Sequence, residues 1–235
     1  DQRIDNYFWM RLSDEQKETE QPDQQTQDVL DYLHAENDYR KHVMKPTEKL
    51  QKTIYDEIIG RIKQDDSSVP ITVNGYTYYT RFEKGQDYPY YCREKAEDNA
   101  KEEVMLDVPT MAEGYAYYAI GGRSVSENNK ILAYAVDTVS RREYTLYFKN
   151  LETGEILSDK IENTTGGITW ANDNQTVFYV KRDPQTLRAY QIFKHRLGTD
   201  TSDDELVYEE KDETFSCWIS TVSYTHLTLP TTRHG

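Results

Sequence analysis

The chain has little of several features that define common protein classes. Two cysteines, Cys92 and Cys217, cannot staple 235 residues with disulfides, and they are too few for a cysteine-based zinc site. No run of apolar residues approaches the ~20 that span a bilayer, and residues 1–11 lack a signal-peptide core. These absences predict a cytoplasmic protein. The periplasm stays the alternative, because the sequence begins at Asp1 rather than at a methionine.

Positive charge is also scarce. The chain carries 28 Lys and Arg against 42 Asp and Glu, a net charge of -14. A surface of this sign repels phosphate, so we expect neither nucleic acid nor an anionic membrane as a partner. Hydrophobic residues make up only 36%, yet 20 tyrosines bring the aromatic content to 12%. Tyrosine favours strands and carries an apolar ring, so the composition predicts a folded, Tyr-rich chain.

Residues 1–70 are predicted to form an N-terminal helical segment. Pro22 and Asp23 suit a helix start, and Pro46 with Thr47 suits the next one. The second helix is marked by an apolar residue at every fourth position: Leu50, Ile54, Ile58 and Ile62. Spacing of this kind is typical of an amphipathic helix.

From residue 71 the apolar period changes to two, which predicts short antiparallel strands. The run from Ile71 to Thr80 is interpreted as one strand. Further strands are predicted at 90–92, 104–106, 131–136, 144–149, 177–181 and 189–195, with turn signals between them. The acidic stretch 200–213 is predicted to be a solvated loop.

This strand pattern repeats. Residues 126–134 align with 171–179, and 147–149 align with 192–194, at a constant offset of 45 residues. A repeat of ~40 to 50 residues with four short strands is typical of a β-propeller blade, whereas a β-sandwich requires no fixed offset. We therefore predict a mainly β fold, an incomplete propeller over 71–220. Blades should start near residues 71, 115 and 165, with a fourth near Thr214.

The last fifteen residues break the pattern. Residues 221–235 contain no acidic side chain, although the stretch before them is rich in Asp and Glu. The repeat also stops there. We interpret 221–235 as a foreign or artefactual tail.

A search for catalytic motifs finds no complete one. Gly122-Arg123-Ser124-Val125-Ser126 lacks the second glycine of a nucleophile elbow and is better interpreted as a strand. His34 and His42 are too far apart on a helix to share a metal, and His195 is predicted to lie on a blade surface. The acidic residues lack the order of a calcium loop. The sequence predicts neither a metal nor a cofactor.

Several segments together carry a family resemblance. They are Arg3-Ile4-Asp5-Asn6-Tyr7-Phe8-Trp9 and residues 29–33, 36–37, 140–144, 150–154, 170–173 and 208–214. In order and composition they resemble the prolyl oligopeptidase family of serine peptidases, and most look like its oligopeptidase B branch. The likeness runs colinearly from about residue 3 to 220.

The resemblance implies a larger enzyme. Its α/β-hydrolase domain would combine the N-terminal helical segment with a long C-terminal region. A seven-bladed propeller between them would act as a size-excluding lid over the active site. The implied partners are short peptides, cleaved after Lys or Arg by a Ser-Asp-His triad. That triad would lie in the C-terminal region, so we expect a fragment with about three of seven blades and no activity of its own.

The resemblance also suggests residues for contacts between domains. Asp5, Tyr7 and Trp9 are expected to anchor the N-terminal segment on the hydrolase domain, with ordinary core packing as the alternative. Arg141 and Arg142 are expected to bind a carboxylate across the domain interface, with a solvated loop as the alternative. For the whole chain, the alternative function is a non-catalytic propeller that binds partners. A carbohydrate-active protein is weaker, because no carboxylate pair stands out.

Overall fold

The structure is a computed structural model that describes residues 4–221. The chain divides into two compact units, the first ending at Lys63 and the second beginning at Gln64. The predicted tail lies outside the described residues, except for residue 221. Among residues 4–221, none of the helices is both long and apolar enough to cross a membrane.

The first unit is helical, as predicted. Its α-helices are α1 (Asp14–Glu18), α2 (Gln24–Met44) and α3 (Glu48–Arg61), with 3-10 turns at Phe8–Met10 and Lys45–Thr47. The start predicted at Pro22 and Asp23 is confirmed. The Asp23 side chain caps α2 by accepting a hydrogen bond from the Thr26 backbone N–H at 2.8 Å. The predicted stripe is helical through Ile58, whereas Ile62 caps the end of α3 with extended backbone, and the four members of the stripe are exposed: Leu50, Ile54, Ile58 and Ile62.

The second unit is an antiparallel β-meander. Its strands are β1 (Ile71–Val73), β2 (Tyr76–Arg81), β3 (Tyr90–Lys95), β4 (Glu103–Asp107), β5 (Ala119–Val125), β6 (Ile131–Asp137), β7 (Tyr144–Asn150), β8 (Ile156–Trp170), β9 (Thr176–Arg182), β10 (Ala189–Arg196) and β11 (Glu205–Glu209). A short helix, α4 (Val108–Met111), precedes β5. Strands β1 to β4 form one sheet in sequence order, and β5 to β11 form another. The mainly β partial propeller with a helical segment before it is confirmed.

The two sheets contain three blades, because β8 is shared. Its first part pairs with β7 and its second part with β9, and Thr164 faces both neighbours. Blade 1 is β1–β4. Blade 2 is β5, β6, β7 and residues 156–164 of β8. Blade 3 is residues 164–170 of β8 with β9, β10 and β11.

Two details of the predicted strand pattern were wrong. The run 71–80 is not one strand but the hairpin β1–β2, because Asn74 and Gly75 both have positive φ, 50° and 80°. Two such residues form the tight turn that joins antiparallel strands. The acidic stretch 200–213 is not simply a loop. It contains a 3-10 turn at Thr201–Asp203 and the strand β11, which pairs with β10. Within the described residues no strand follows β11, so the fourth blade stays a prediction.

Strand β6 is the centre of the core because both of its faces are buried. Leu132, Tyr134 and Val136 point to a cluster shared with β4 of blade 1. The alternate residues Ala133 and Ala135 point to a second cluster, which includes residues of β7, β8 and β9. Because side chains alternate along a strand, β6 places large side chains toward blade 1 and small ones toward the second cluster, which includes residues of blade 3.

The inner strands of blades 2 and 3 approach each other closely at paired glycines. A Cβ placed on Gly122 would lie 2.0 Å from the carbonyl oxygen of Gly166. Such a distance is far inside van der Waals contact, so only glycine fits. Trp170 also links the two blades by a hydrogen bond, in which its indole N–H donates to the Ser124 carbonyl at 2.9 Å.

The turns between the first two strands of each blade also bind one another. Asn129 donates from its side chain to the Asn74 carbonyl at 3.0 Å, and the Asn74 side chain donates to the Glu127 carbonyl. The Asn128 backbone N–H donates to the Asn174 side chain at 2.7 Å. Asn74, Asn129 and Asn174 all have positive φ, a conformation that asparagine tolerates. Their side chains therefore connect three successive blades.

Substituting Gly122 by Ala should destabilise the β unit. The added methyl group would collide with a backbone carbonyl that cannot rotate away, and overpacking of this kind costs about 3 kcal/mol. Gly167→Ala is the matched control, because a Cβ there meets nothing closer than a side-chain oxygen at 3.5 Å. Urea denaturation of both variants measures the difference. Equal unfolding midpoints would contradict the proposed contact.

The two cysteines differ in environment. Cys92 lies on β3 with no exposed surface, whereas Cys217 is partly exposed beside the Ala189 carbonyl. Burial raises the pKa of the Cys92 thiol to about 11, and the nearby Glu102 carboxylate adds to the effect. Glu102 in turn is fixed by Arg81, whose guanidinium donates to both carboxylate oxygens. Cys92 is therefore a packing residue in blade 1 rather than a reactive thiol.

Iodoacetamide at pH 8 should therefore modify Cys217 well before Cys92. With a pKa of about 11, about one Cys92 thiol in a thousand is ionised at that pH, and it is also buried. Mass spectrometry of the labelled peptides measures the two rates. In the Cys217→Ser variant, labelling of Cys92 should require denaturant. Rapid labelling of that folded variant would show that blade 1 opens around Cys92.

Candidate functional site

The residues predicted near the N-terminus are held by short-range contacts. Asp5 accepts a hydrogen bond from the Tyr7 backbone N–H at 2.9 Å, which shapes the turn before the 3-10 turn Phe8–Met10. The Trp9 carbonyl accepts from Gln25 at 2.7 Å, and the Trp9 indole packs edge-on against Tyr32 of α2, 5.9 Å between ring centres. Within their own unit these aromatic side chains remain exposed, Tyr7 by 61% and Trp9 by 40%.

The helical unit as a whole presents apolar side chains outward. Besides the stripe of α3, α2 exposes Leu33, Val43 and Met44. Only Thr26 and Val29 of α2 are buried. Exposed apolar side chains in this number on two neighbouring helices are typical of a surface that contacts another folded segment.

Arg141 and Arg142 lie in a turn that is organised by a buried aspartate. Asp137, at the end of β6, is 1% exposed and accepts from the backbone N–H groups of Val139, Ser140 and Arg142 at 2.7 to 3.0 Å. Ser140 and Arg142 have positive φ, which these three hydrogen bonds stabilise. The carboxylate thus fixes the backbone from which both guanidinium groups project into solvent.

A third arginine joins this turn from the next blade. Arg182, at the end of β9, donates from Nη1 to the Arg142 carbonyl at 2.7 Å. The structure therefore brings Arg141, Arg142 and Arg182 to the same end of blades 2 and 3. In a chain with a net charge of -14, this is a local concentration of positive charge that suits a carboxylate partner.

His195 is not on a blade surface, contrary to the prediction. It is fully buried on β10, with Nδ1 2.6 Å from Asp204 and Nε2 3.1 Å from Asp159. Its ring stacks on Phe148 of β7. The sequence shows an aromatic strand here, but Asp159 lies on β8 and Asp204 lies just before β11, so no local spacing indicates the pairing.

An Asp–His pair is also part of a serine-peptidase triad, but this one has a different arrangement. In a triad one ring nitrogen contacts a serine hydroxyl, whereas both nitrogens of His195 contact carboxylates. Ser124, the nearest approach to a nucleophile motif, lies within strand β5 rather than on a strand-to-helix turn. Its carbonyl is occupied by Trp170.

One cleft opens between blades 1 and 2. It has a volume of about 480 Å³ and is lined by β1, by tyrosines of β2 and β3, and by Arg123 of β5. Arg123 stacks on the Tyr91 ring at 3.7 Å. Across the part of the chain that the structure describes, no group of three His, Cys, Asp or Glu side chains is placed to hold a metal ion.

Comparison with known proteins places these features in one family. The family model for the N-terminal β-propeller domain of prolyl oligopeptidase matches residues 1–229. Dipeptidyl aminopeptidase BI of Pseudoxanthomonas mexicana is 43% identical over 229 residues, which cover 91% of this chain and 30% of that protein. Protease 2 of Moraxella lacunata is 33% identical over 227 residues, covering 94% of this chain and 31% of that protein.

Solved structures agree with the sequence relatives. Oligopeptidase B from Leishmania major superposes with a TM-score of 0.79 at 34% identity, covering 92% of this chain and 29% of that one. Oligopeptidase B from Trypanosoma brucei, with covalently bound antipain, gives 0.77 at 30% identity, covering 91% and 29%. The chain thus spans about 30% of the length of the proteins it matches. It belongs to the prolyl oligopeptidase family and corresponds to the N-terminal β-propeller domain of that family.

Proposed function

We propose that this chain is the propeller region of a serine oligopeptidase that cleaves short peptides, with a preference for Lys or Arg before the cleaved bond. The observation that supports the proposal is the family match over residues 1–229, together with relatives named as peptidases. In this proposal the propeller acts as a lid that admits peptides and excludes folded proteins. The parent enzyme is proposed to act in the cytoplasm, since both cysteines are free thiols.

The contact between blades 2 and 3 supports a lid with a narrow opening. The backbones meet at Gly122 and Gly166 with no room for even a methyl group, so a peptide cannot pass between these inner strands. In the proposed lid, this contact would close one route between neighbouring blades. Turnover would then depend on how the lid and the catalytic domain move apart.

The environments of the histidines within residues 4–221 support the proposal that the catalytic groups are supplied from elsewhere. His34 and His42 are exposed on α2, and His195 is buried with both ring nitrogens occupied. A nucleophilic serine needs a histidine base within hydrogen-bond reach. We therefore propose that the triad lies in a hydrolase domain beyond these residues. The net charge of -14 would attract basic peptides toward the lid, an effect that salt screens.

Cleavage by the longer protein that contains this chain should depend strongly on substrate size. We expect a fluorogenic Arg-containing peptide of ~8 residues to be cleaved at least ~100-fold faster than the same sequence in a loop of a folded protein, because the lid excludes the latter. Values of kcat/KM for the two substrates measure the effect. Equal values would exclude the lid.

The 235-residue chain alone is the control for that experiment. It should show no turnover above buffer. Turnover that a serine-directed inhibitor abolishes would contradict the proposal that the catalytic triad lies outside this chain. The reading frame extended past Ser220 should add further blades and then a Gly-x-Ser-x-Gly motif. If neither is found, the chain is better explained as a propeller that binds partners without catalysis.

We also propose that the exposed residues described above contact the hydrolase domain. Asp5, Tyr7 and Trp9 would pack with the apolar face of the helices, because these side chains are uncovered within their own unit. Arg141 and Arg142 would bind a carboxylate, because their backbone is fixed while both side chains project into solvent. A fixed backbone lowers the entropy lost when such a contact forms.

Replacing Arg141 and Arg142 by Ala in the longer protein should lower kcat/KM about 10-fold at low salt, and the deficit should shrink as salt is added. The melting temperature of the β unit should stay unchanged, because both side chains are exposed. Lys130→Ala is the matched control, since Lys130 forms an exposed ion pair with Glu152 at the opposite end of β6. A loss that persists at high salt, or an equal loss in the control, would contradict the contact.

A further inference from the structure

The buried His195 lies at the seam between two blades. It is on β10 of blade 3, and Asp159, which contacts its Nε2, is on the part of β8 that belongs to blade 2. Asp204, which contacts Nδ1, immediately precedes β11 of blade 3. From β9, Tyr179 reaches the same aspartate with its hydroxyl group, and from β7 the ring of Phe148 covers one face of the imidazole.

Both carboxylates around this ring already accept other hydrogen bonds. Asp204 uses Oδ1 for His195 and Oδ2 for the Tyr179 hydroxyl, at 2.7 Å. Burial raises the pKa of Tyr179, so this hydroxyl keeps its proton and donates it. Asp159 accepts from the Gly198 backbone N–H with the oxygen that contacts the ring. Ionised carboxylates only accept hydrogen bonds, so two of them facing the two nitrogens of one ring are both satisfied only when each nitrogen carries a hydrogen.

We propose that His195 carries a proton on both ring nitrogens at neutral pH and is a buried cationic cross-link that joins blade 2 to blade 3. A neutral imidazole has one N–H and can satisfy one of the two carboxylates. The other would then remain buried beside a ring nitrogen that also accepts, which is unfavourable. The bond between the blades therefore depends on a single proton.

The cross-link lies where it can restrict the movement of blade 2 against blade 3. Blades 2 and 3 are already joined by the continuous backbone of β8, which passes from one blade to the other. Asp159 lies near the start of that strand and His195 near the end of β10, so the ion pair ties the blades at a second place. With two ties, rotation of one blade against the other is restricted.

Nitrogen NMR of the histidine-labelled chain tests the protonation directly. Both ring nitrogens of His195 should appear in the protonated range at pH 7.5, each coupled to one hydrogen. His34 and His42, exposed on α2, give reference signals in the same spectrum, and the His195→Gln variant assigns the resonances. A single protonated nitrogen on His195 would overturn the proposal, and this measurement needs only the unmodified chain.

Hydrogen exchange tests the coupling between the blades. In His195→Gln, the amides of β8 and β10 should lose at least about 100-fold of their protection, because two buried carboxylates lose their cation. Arg196→Gln is the matched control on the same strand, with an exposed side chain, and should lose less than about tenfold. In Asp159→Asn, the Nε2 signal should move toward the unprotonated range while Nδ1 keeps its hydrogen. Unchanged protection in His195→Gln, or unchanged nitrogen signals in Asp159→Asn, would exclude the cross-link.

Discussion

The arrangement of the blades depends on how closely two strands approach at Gly122 and Gly166. Sheets usually keep their backbones apart with side chains, and here the side chains are missing at the point of contact. Tyr144 fills the space beside this contact, within 3.0 Å of a Cβ placed on Gly121 or Gly166. The hydrogen bond from the Trp170 indole to the Ser124 carbonyl joins the same two strands. The spacing of blades 2 and 3 at this contact is therefore set by the absence of side chains at Gly122 and Gly166.

Much of the fold could be predicted from the sequence because it repeats. The offset of 45 residues aligns Asn129 with Asn174, and both have positive φ in equivalent turns. The hairpin at Asn74 and Gly75 was missed although Asn-Gly is a typical two-residue turn, and although the alternation shifts there from odd to even positions. The shared strand β8 was missed because no sequence pattern within a single repeat indicates that one continuous strand belongs to two blades.

The candidate site was harder to predict, for a physical reason. The turn with Arg141 and Arg142 is stabilised by Asp137, a local pattern that the sequence contains. His195 is different, since its partners lie 36 and 9 residues away and meet it only after the sheet has formed. Periodicity indicates which side of a strand a residue occupies. It does not indicate which charges the neighbouring strands bring to that side.

Strand β8 has a consequence for how such a protein could arise. A repeated domain is usually regarded as several copies of one sequence segment. Here the repeated segment does not coincide with a separate hydrogen-bonded sheet, because Thr164 of β8 pairs with β7 on one side and with β9 on the other. A duplication that copied blade 2 would have to end inside a continuous strand, and one that copied blade 3 would have to begin inside it. The junction between ancestral copies would then lie near Asn163, whose φ of 59° bends the strand. A new blade inserted near Asn163 would have to keep the strand register of the existing blades.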